Sequence, residues 1–249
     1  MNTIHSLLFI MHIIVGSMAL ILFWVPVVAK KGSLNHRKFG RYYANTMYLV
    51  AGTGALMALM VLCAPLVIKY QFVNENTNTA QLALKLRIFW GFLLYLSLLT
   101  FVSVRHGILV LKHKNQHSHL RQWPHLFSVG LLFIGGIVLF ALGLNYANSL
   151  HIIFGILGAI LAIQTGAFCL AKSVTPNRWL VEHLGAFIGS GIGAYTAFIA
   201  FGGRTIFSEL GQWQLVFWIA PGVVGAIASA LMSRKYKNGL AGARTNRLN

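Results

Sequence analysis

The sequence predicts an all-α, polytopic membrane protein with seven transmembrane helices, its N-terminus outside and its C-terminus in the cytoplasm. Three observations predict this fold: the composition is too apolar for a soluble domain, seven apolar runs can span a bilayer, and basic residues cluster between alternate runs. Of the 249 residues, 57% are hydrophobic and 9% are charged, whereas a soluble domain carries about a quarter charged residues. So few charges cannot cover a water-facing surface, and most of the surface is expected to face lipid.

Seven apolar runs are long enough to be transmembrane helices, which need about 20 mostly apolar residues. They cover residues 4–29, 42–68, 83–110, 123–145, 148–171, 180–202 and 212–233. Residues 1–233 are therefore predicted to form a single seven-helix transmembrane domain, and residues 234–249 a basic cytoplasmic tail. The first run is expected to remain as a true helix, because basic residues follow it, whereas in a signal peptide they precede the apolar core.

The distribution of Lys and Arg predicts the orientation of the helices. Sixteen of the 20 basic residues lie in the loops after the first, third and fifth runs and in the C-terminal tail. Cytoplasmic segments of membrane proteins carry an excess of Lys and Arg, so these loops and the tail are placed in the cytoplasm. The net charge of +17 is dispersed in these clusters, whereas nucleic-acid binders concentrate basic residues on one folded face. We therefore expect the lipid bilayer, and no nucleic acid, as a partner.

Histidines inside apolar runs form the first candidate site. The first and fifth runs both read His-Ile-Ile-x-Gly, with His12 and Gly16 in one and His151 and Gly155 in the other. Residues i, i+4 and i+7 share one face of a helix, so each run shows a stripe of imidazole, glycine and a further small residue. Both runs are predicted to cross from outside to inside, which brings the two imidazoles to similar depth. Such a stripe admits a neighbouring helix or a flat cofactor.

A second, looser pair of histidines is predicted near the cytoplasmic side. His36 lies in the segment NHRKFGRYY before the second run, and His183 lies about two turns into the sixth. Haem iron accepts axial His ligands from facing helices. We therefore favour a membrane redox protein with haem b as cofactor, one haem held by the outer pair and another by the inner pair. Arg37 and Arg41 are expected to pair with the propionates of the inner haem.

Two other functions fit the same residues. Ionisable side chains are costly to bury in a bilayer and commonly functional there, and imidazole titrates near neutral pH. His12 and His151 therefore also fit a small-solute or proton transporter. Neutral histidines hydrogen-bond across membrane helices as well, which fits a non-enzymatic scaffold without a cofactor. Whether the protein is an enzyme, and whether it has a redox partner or forms homo-oligomers, stays open.

The single histidine-rich loop and the two cysteines are interpreted as structural. The spacing in HKNQHSH is similar to one histidine box of membrane di-iron desaturases and hydroxylases. Those enzymes need several such boxes, so a solvated cytoplasmic loop is expected here. Cys63 and Cys169 both lie in apolar runs without metal-type spacing, and they are expected to be small buried hydrophobes.

Carboxylates are rare in this chain, and one of them is expected to form an ion pair. Asp is absent, and the three acids are Glu75, Glu182 and Glu209. Glu182 follows Arg178 at the i, i+4 spacing that favours pairing on a helix surface. A hydrogen bond from His36 or Arg41 of a neighbouring helix to Glu182 is the alternative.

Four segments resemble a family of uncharacterised bacterial multi-pass inner-membrane proteins, a domain of unknown function. They are HIIVGSMAL, NHRKFGRYYANTMY, WLVEHLGAFIGSGIGAYTAFIAF and FWIAPGVVG. The resemblance runs over most of the chain and is strongest in the first, second, sixth and seventh runs. It implies multi-pass topology and a bacterial inner-membrane location, and it implies no reaction. The motif residues of the family fall on His12, Gly16, His36, Arg37, Gly40, Arg41, His183, Gly185, Ala194 and Tyr195.

Overall fold

A computed structural model of the chain describes residues 2–114, 116–175, 178–202, 216, 218–225 and 227. Its α-helices are α1 (Asn2–Val28), α2 (Leu34–Cys63), the short α3 (Pro65–Ile68), α4 (Thr79–His113), α5 (Trp123–Asn145), α6 (Ser149–Leu170) and α7 (Arg178–Ala197). Two 3-10 turns cover Tyr70–Phe72 and His117–Leu120, and a π-helical segment, Phe198–Gly202, follows α7. The described residues contain no strand, so the predicted all-α class is confirmed for them.

Six helices of the described chain are long and apolar enough to cross a membrane: α1, α2, α4, α5, α6, and α7 with its π-helical continuation. Large apolar side chains on these helices are exposed, for example Leu7 at 61%, Ile21 at 72% and Ile134 at 60%. Exposing so much apolar surface to water is unfavourable, and lipid removes this penalty. The helices therefore indicate an integral membrane protein.

The seventh predicted span, 212–233, is described only at residues 216, 218–225 and 227, and these are helical. The predicted tail, 234–249, lies outside the described residues. The orientation of the two termini and the single seven-helix domain also stay predictions.

The second span differs most from its predicted bounds, because α2 begins at Leu34, well before residue 42. Ser33 caps the helix: its hydroxyl accepts a hydrogen bond from the backbone N–H of His36 at 3.2 Å. A capped turn stabilises a polar segment that hydropathy alone does not mark as helical. The helix ends at Cys63, and Pro65, which has no backbone N–H to donate, begins the separate helix α3.

The chain divides into two compact units. The first unit covers Met1–Val102 and Gln122–Cys169, so it contains α1 to α3, most of α4, α5 and nearly all of α6. The second unit covers Ser103–Arg121 and Leu170–Asn249, so it contains the C-terminal end of α4, the His117–Leu120 turn and α7.

The turn between α5 and α6 positions one of the candidate histidines in the first unit. Ala147 adopts a positive φ of 49°, and the side-chain oxygen of Asn148 then accepts hydrogen bonds from the backbone N–H groups of Leu150 and His151 at 3.1 and 3.3 Å. These bonds satisfy donors of the first turn that have no partner within the helix. His151 therefore lies in the capped first turn of α6, at a defined position.

Candidate functional site

His12 lies on α1 and is held against α2. Its Nδ1 lies 2.8 Å from the hydroxyl oxygen of Thr53, and that hydroxyl donates to the carbonyl oxygen of Leu49 at 2.7 Å. Because the single hydroxyl proton is used there, Nδ1–H of His12 donates to Thr53, and Nε2 carries the lone pair. A Cβ on Gly54 would make an ordinary contact of 3.4 Å with Cε1 of His12, and its close neighbour would be the hydroxyl oxygen of Ser97 at 2.7 Å.

His151 is buried between α6 and α4. Its side chain is fully enclosed, its Nε2 lies 3.3 Å from the carbonyl oxygen of Ile88, and its ring stacks on Phe92 with centroids 5.2 Å apart. A carbonyl can only accept, so Nε2–H is the donor and Nδ1 carries the lone pair. Nδ1 has no hydrogen-bond partner among the described residues. His151 is thus anchored on α4, whereas His12 is anchored on α2.

Protein atoms already occupy the small-residue stripe next to His151. A Cβ on Gly155 would lie 2.7 Å from the backbone N of Phe140 and 2.8 Å from the carbonyl oxygen of Gly136, both on α5. A Cβ on Gly158 would collide with the phenol of Tyr95. Of the two partners that such a stripe admits, the one present on α6 is a neighbouring helix.

The corresponding stripe on α1 is different, because a Cβ on Gly16 would meet no atom of the described residues within 4 Å. The prediction that His12 and His151 share a haem stays a prediction.

His36 closes the turn between α1 and α2. Its Nδ1 donates to the carbonyl oxygen of Pro26 at 2.9 Å, and Nζ of Lys31 donates to the carbonyl oxygens of Pro26 and Val27 at 2.8 and 2.7 Å. These are carbonyls of the last turn of α1, which lack partners within the helix. Burial lowers the pKa of the Lys31 ammonium below its usual value. His36 therefore anchors the turn between α1 and α2 through Nδ1, and its Nε2 carries the lone pair; its predicted role as a haem ligand stays a prediction.

His183 belongs to the second unit and lies on α7. Its Nδ1 donates to the carbonyl oxygen of Gly107 at 3.0 Å, and its ring lies against Phe187 with centroids 4.8 Å apart. Gly107 permits this approach, since a Cβ there would lie 2.6 Å from the ring of Phe187. Nε2 again carries the lone pair. Arg37 and Arg41, the other predicted residues of the inner site, are exposed on α2 of the first unit.

Glu182 lies in a polar cluster among the described residues of the second unit. Nε and Nη2 of Arg178 lie 3.0 and 2.9 Å from Oε1 of Glu182, which confirms the predicted i, i+4 pair. Nε2 of His106, from the C-terminal part of α4, lies 3.8 Å from Oε2. His106 is only 4% exposed, and the carboxylate side chain is 19% exposed. An acid, a guanidinium and an imidazole therefore meet within helices that can span a membrane.

Sequence reasoning missed His106, because it lies far from Glu182 along the chain and no local pattern joins them. The one available signal was its place at the polar end of the third apolar run, followed directly by Gly107. Gly107 is the residue that accepts the hydrogen bond from His183.

Two further pairs of ionisable side chains lie close together, one in the first unit and one in the histidine-rich loop. In the first unit His125 and Cys169 are fully buried, and their ligand atoms lie within 4.8 Å of each other. The burial of Cys169 confirms the prediction for that residue, whereas Cys63 is exposed and its predicted burial is wrong.

In the histidine-rich loop the rings of His113 and His119 stack with their centroids 5.2 Å apart. His119 is exposed, as expected for a solvated loop.

Comparison of the chain with protein-family models, with curated proteins and with solved structures finds no match. The resemblance to a bacterial inner-membrane family therefore stays a prediction, and the function has to be argued from the site itself.

Proposed function

We propose that this integral membrane protein carries protons, alone or coupled to a small solute, along polar side chains of its helices. The polar cluster in the first turns of α7, a helix long and apolar enough to cross a membrane, carries this proposal: the Glu182 carboxylate has Arg178 at one oxygen and His106 at the other. Ionisable groups inside membrane spans are costly and typically mark ion or proton pathways. The resemblance of segments such as HIIVGSMAL supports the bacterial inner membrane as the location.

The chemistry of the cluster suits reversible proton binding. Arg178 is always protonated, so its two contacts favour the ionised carboxylate of Glu182. A neutral imidazole such as that of His106 has one ring nitrogen with a lone pair, which can accept a proton from the acid form of a carboxyl group. The separation of 3.8 Å between His106 and Glu182 exceeds a hydrogen bond, and a bridging water or a small rotation of either side chain would connect them. A proton can then pass between imidazole and carboxylate while Arg178 holds the acid in position.

A proton flux measurement in vesicles tests this function. The full chain is reconstituted in vesicles containing a pH-sensitive dye, a pH gradient is imposed, and valinomycin with potassium removes the opposing membrane potential. Collapse of the gradient should be faster than in empty vesicles, and Glu182→Gln should abolish the difference. Glu75→Gln is the matched control, because Glu75 is exposed in the loop before α4. Equal fluxes in empty and protein-containing vesicles would refute the proposal, as would equal fluxes in wild type and Glu182→Gln.

The second candidate is the haem b redox protein, which the tautomers of three imidazoles favour. His12, His36 and His183 each use Nδ1–H as a donor to a protein oxygen. This pattern leaves Nε2 as the nitrogen for iron, and it is the usual way in which a protein orients metal-binding histidine. The occupied stripe at Gly155 argues against a porphyrin on that face of α6, so this function takes second place.

A visible spectrum of the purified protein tests the haem. Expressed with ample haem, the protein should show a Soret band, with sharp α and β bands on reduction. His12→Ala should remove roughly half of the haem, because one of two bis-histidine sites is lost. A colourless protein would refute the haem b function. If the colourless protein also shows no proton flux, the non-enzymatic scaffold remains as the function.

A further inference from the structure

The first two turns of α2 carry an exposed basic face, defined here by Leu34, Arg37, Lys38, Arg41 and Tyr42. Their spacing of i, i+3, i+4, i+7 and i+8 puts all five on one side of the helix. They line an open depression of 310 Å³, at the low end of the range for ligand sites. The three cations are exposed, and Leu34 and Tyr42 are 77% and 46% exposed.

The positive charge of this basic face is not neutralised by any described residue. The side chains of Arg37, Lys38 and Arg41 form no hydrogen bond and no ion pair with a residue that the structure describes. Other basic residues do have partners: Nε of Arg87 donates to the carbonyl oxygen of Leu62 at 3.3 Å, and Arg178 pairs with a carboxylate. The three cations are therefore available to an external anion.

No acid of the first unit can reach the basic face. Its single acidic residue, Glu75, follows the C-terminal end of α2. The helix continues from Arg37 to Cys63, a rise of about 39 Å, and Glu75 follows that far end. Any anion that compensates the basic face has to come from outside the unit.

The basic face lies where a membrane-spanning helix begins, which is the depth of lipid headgroups. Basic residues flanking a span are attracted to anionic lipids, and Tyr is enriched at this level of the membrane. The exposed side chains of Leu34 and Tyr42 offer apolar surface on both sides of the cations. A ligand that combines a phosphate with apolar chains matches this arrangement.

We propose that the basic face of α2 binds an anionic phospholipid through its phosphate headgroup. The guanidinium groups of Arg37 and Arg41 offer paired N–H donors to phosphate oxygens, and Lys38 adds a further charge. Tyr42, on the membrane side of the three cations, lies against the glycerol backbone and the start of the acyl chains. Free inorganic phosphate lacks this apolar part and is held less well.

Lipid retention by the full chain tests this site. The protein is equilibrated in micelles with equal amounts of phosphatidylglycerol and phosphatidylcholine, and retained lipid is counted by native mass spectrometry. Phosphatidylglycerol should be retained preferentially. The triple variant Arg37→Gln, Lys38→Gln, Arg41→Gln should reduce this preference about tenfold, because each cation near an anionic surface contributes to binding.

The matched control is Lys30→Gln, Lys112→Gln, Lys172→Gln, which removes the same charge from exposed positions elsewhere. It should keep the preference for phosphatidylglycerol, and circular dichroism verifies that both variants are folded. Equal losses in the two triple variants would overturn the proposal, because net charge alone would then explain retention. Equal retention of both lipids, or displacement of phosphatidylglycerol by millimolar inorganic phosphate, would overturn it too. Loss of a haem absorption band in the first variant alone would assign the face to haem propionates instead.

Discussion

Replacing Gly155 by Ala should push α5 and α6 apart at the point where their backbones are closest. The added Cβ would lie 2.7 Å from the backbone N of Phe140, 3.0 Å from its Cα and 2.8 Å from the carbonyl oxygen of Gly136. All three atoms belong to the backbone of α5, so no side-chain rotation can relieve the collision. Ordinary contact begins at 3.4 Å, and the two helices therefore have to separate by a substantial fraction of an ångström.

The expected cost follows from overpacking and from weaker dispersion between the separated helices. Inserting one methyl group into a tightly packed site costs about 1–3 kcal/mol, and opening a gap of about 0.5–1 Å removes a quarter to a half of the dispersion energy of each nearby atom pair. Alanine also has a higher intrinsic helix propensity than glycine, by about 1 kcal/mol in water. Gly166→Ala on the same helix controls for that difference in propensity, because its Cβ would lie 3.8 Å from Val129, an ordinary contact. We expect Gly155→Ala to be less stable than Gly166→Ala by about 1–3 kcal/mol.

Unfolding of the purified protein by sodium dodecyl sulfate in mixed micelles, followed by circular dichroism, measures this difference. The reasoning is refuted if the two variants unfold at the same detergent fraction, within the roughly 0.5 kcal/mol expected of independent sites. Equal stability combined with loss of a haem band in Gly155→Ala would show that the stripe holds a cofactor.

Three further predictions concern other contacts. Gly158→Ala should destabilise the protein, since its Cβ would lie 2.7 Å from Cζ of Tyr95, and a second substitution, Tyr95→Phe, should restore part of the lost stability. The double-mutant cycle should give a coupling free energy of about 1 kcal/mol, and additive effects of the two substitutions would contradict this contact. Burial lowers the pKa of Lys31 below 10.5, so between the lowered pKa and 10.5 the unfolded chain binds more protons than the folded one. The free energy of unfolding should therefore rise with pH in that window. Lys31→Met should flatten this rise, measured by detergent unfolding, and an unchanged slope would argue against the burial of Lys31. In detergent solution Cys63 should react faster than Cys169 with N-ethylmaleimide, a neutral reagent that enters micelles, because Cys63 is on the outer surface of the helices and Cys169 is buried. Mass spectrometry measures both, and equal labelling speaks against this fold.

Local features of the site could be predicted from the sequence. The pair of Arg178 and Glu182 was predictable because i, i+4 neighbours meet on any helix, whatever surrounds it. The carboxylate's second neighbour, His106, was not predictable, because that contact depends on which helices are adjacent. The burial of Cys63 was predicted wrongly for a related reason. An apolar run shows that a helix crosses the membrane, and it does not show which residues face lipid and which face protein.

The sequence by itself determined the helical class and the approximate positions of the six described helices that can cross a membrane. Backbone groups in lipid must be satisfied within the helix, so an apolar run of sufficient length predicts one; the predicted span 123–145 matches α5 at both ends. The tertiary structure alone decided the rotation of each helix about its axis. Lipid chains and protein interior are equally apolar, so hydropathy does not distinguish them. This is why His12 and His151, which share one sequence pattern, are anchored on α2 and on α4 respectively.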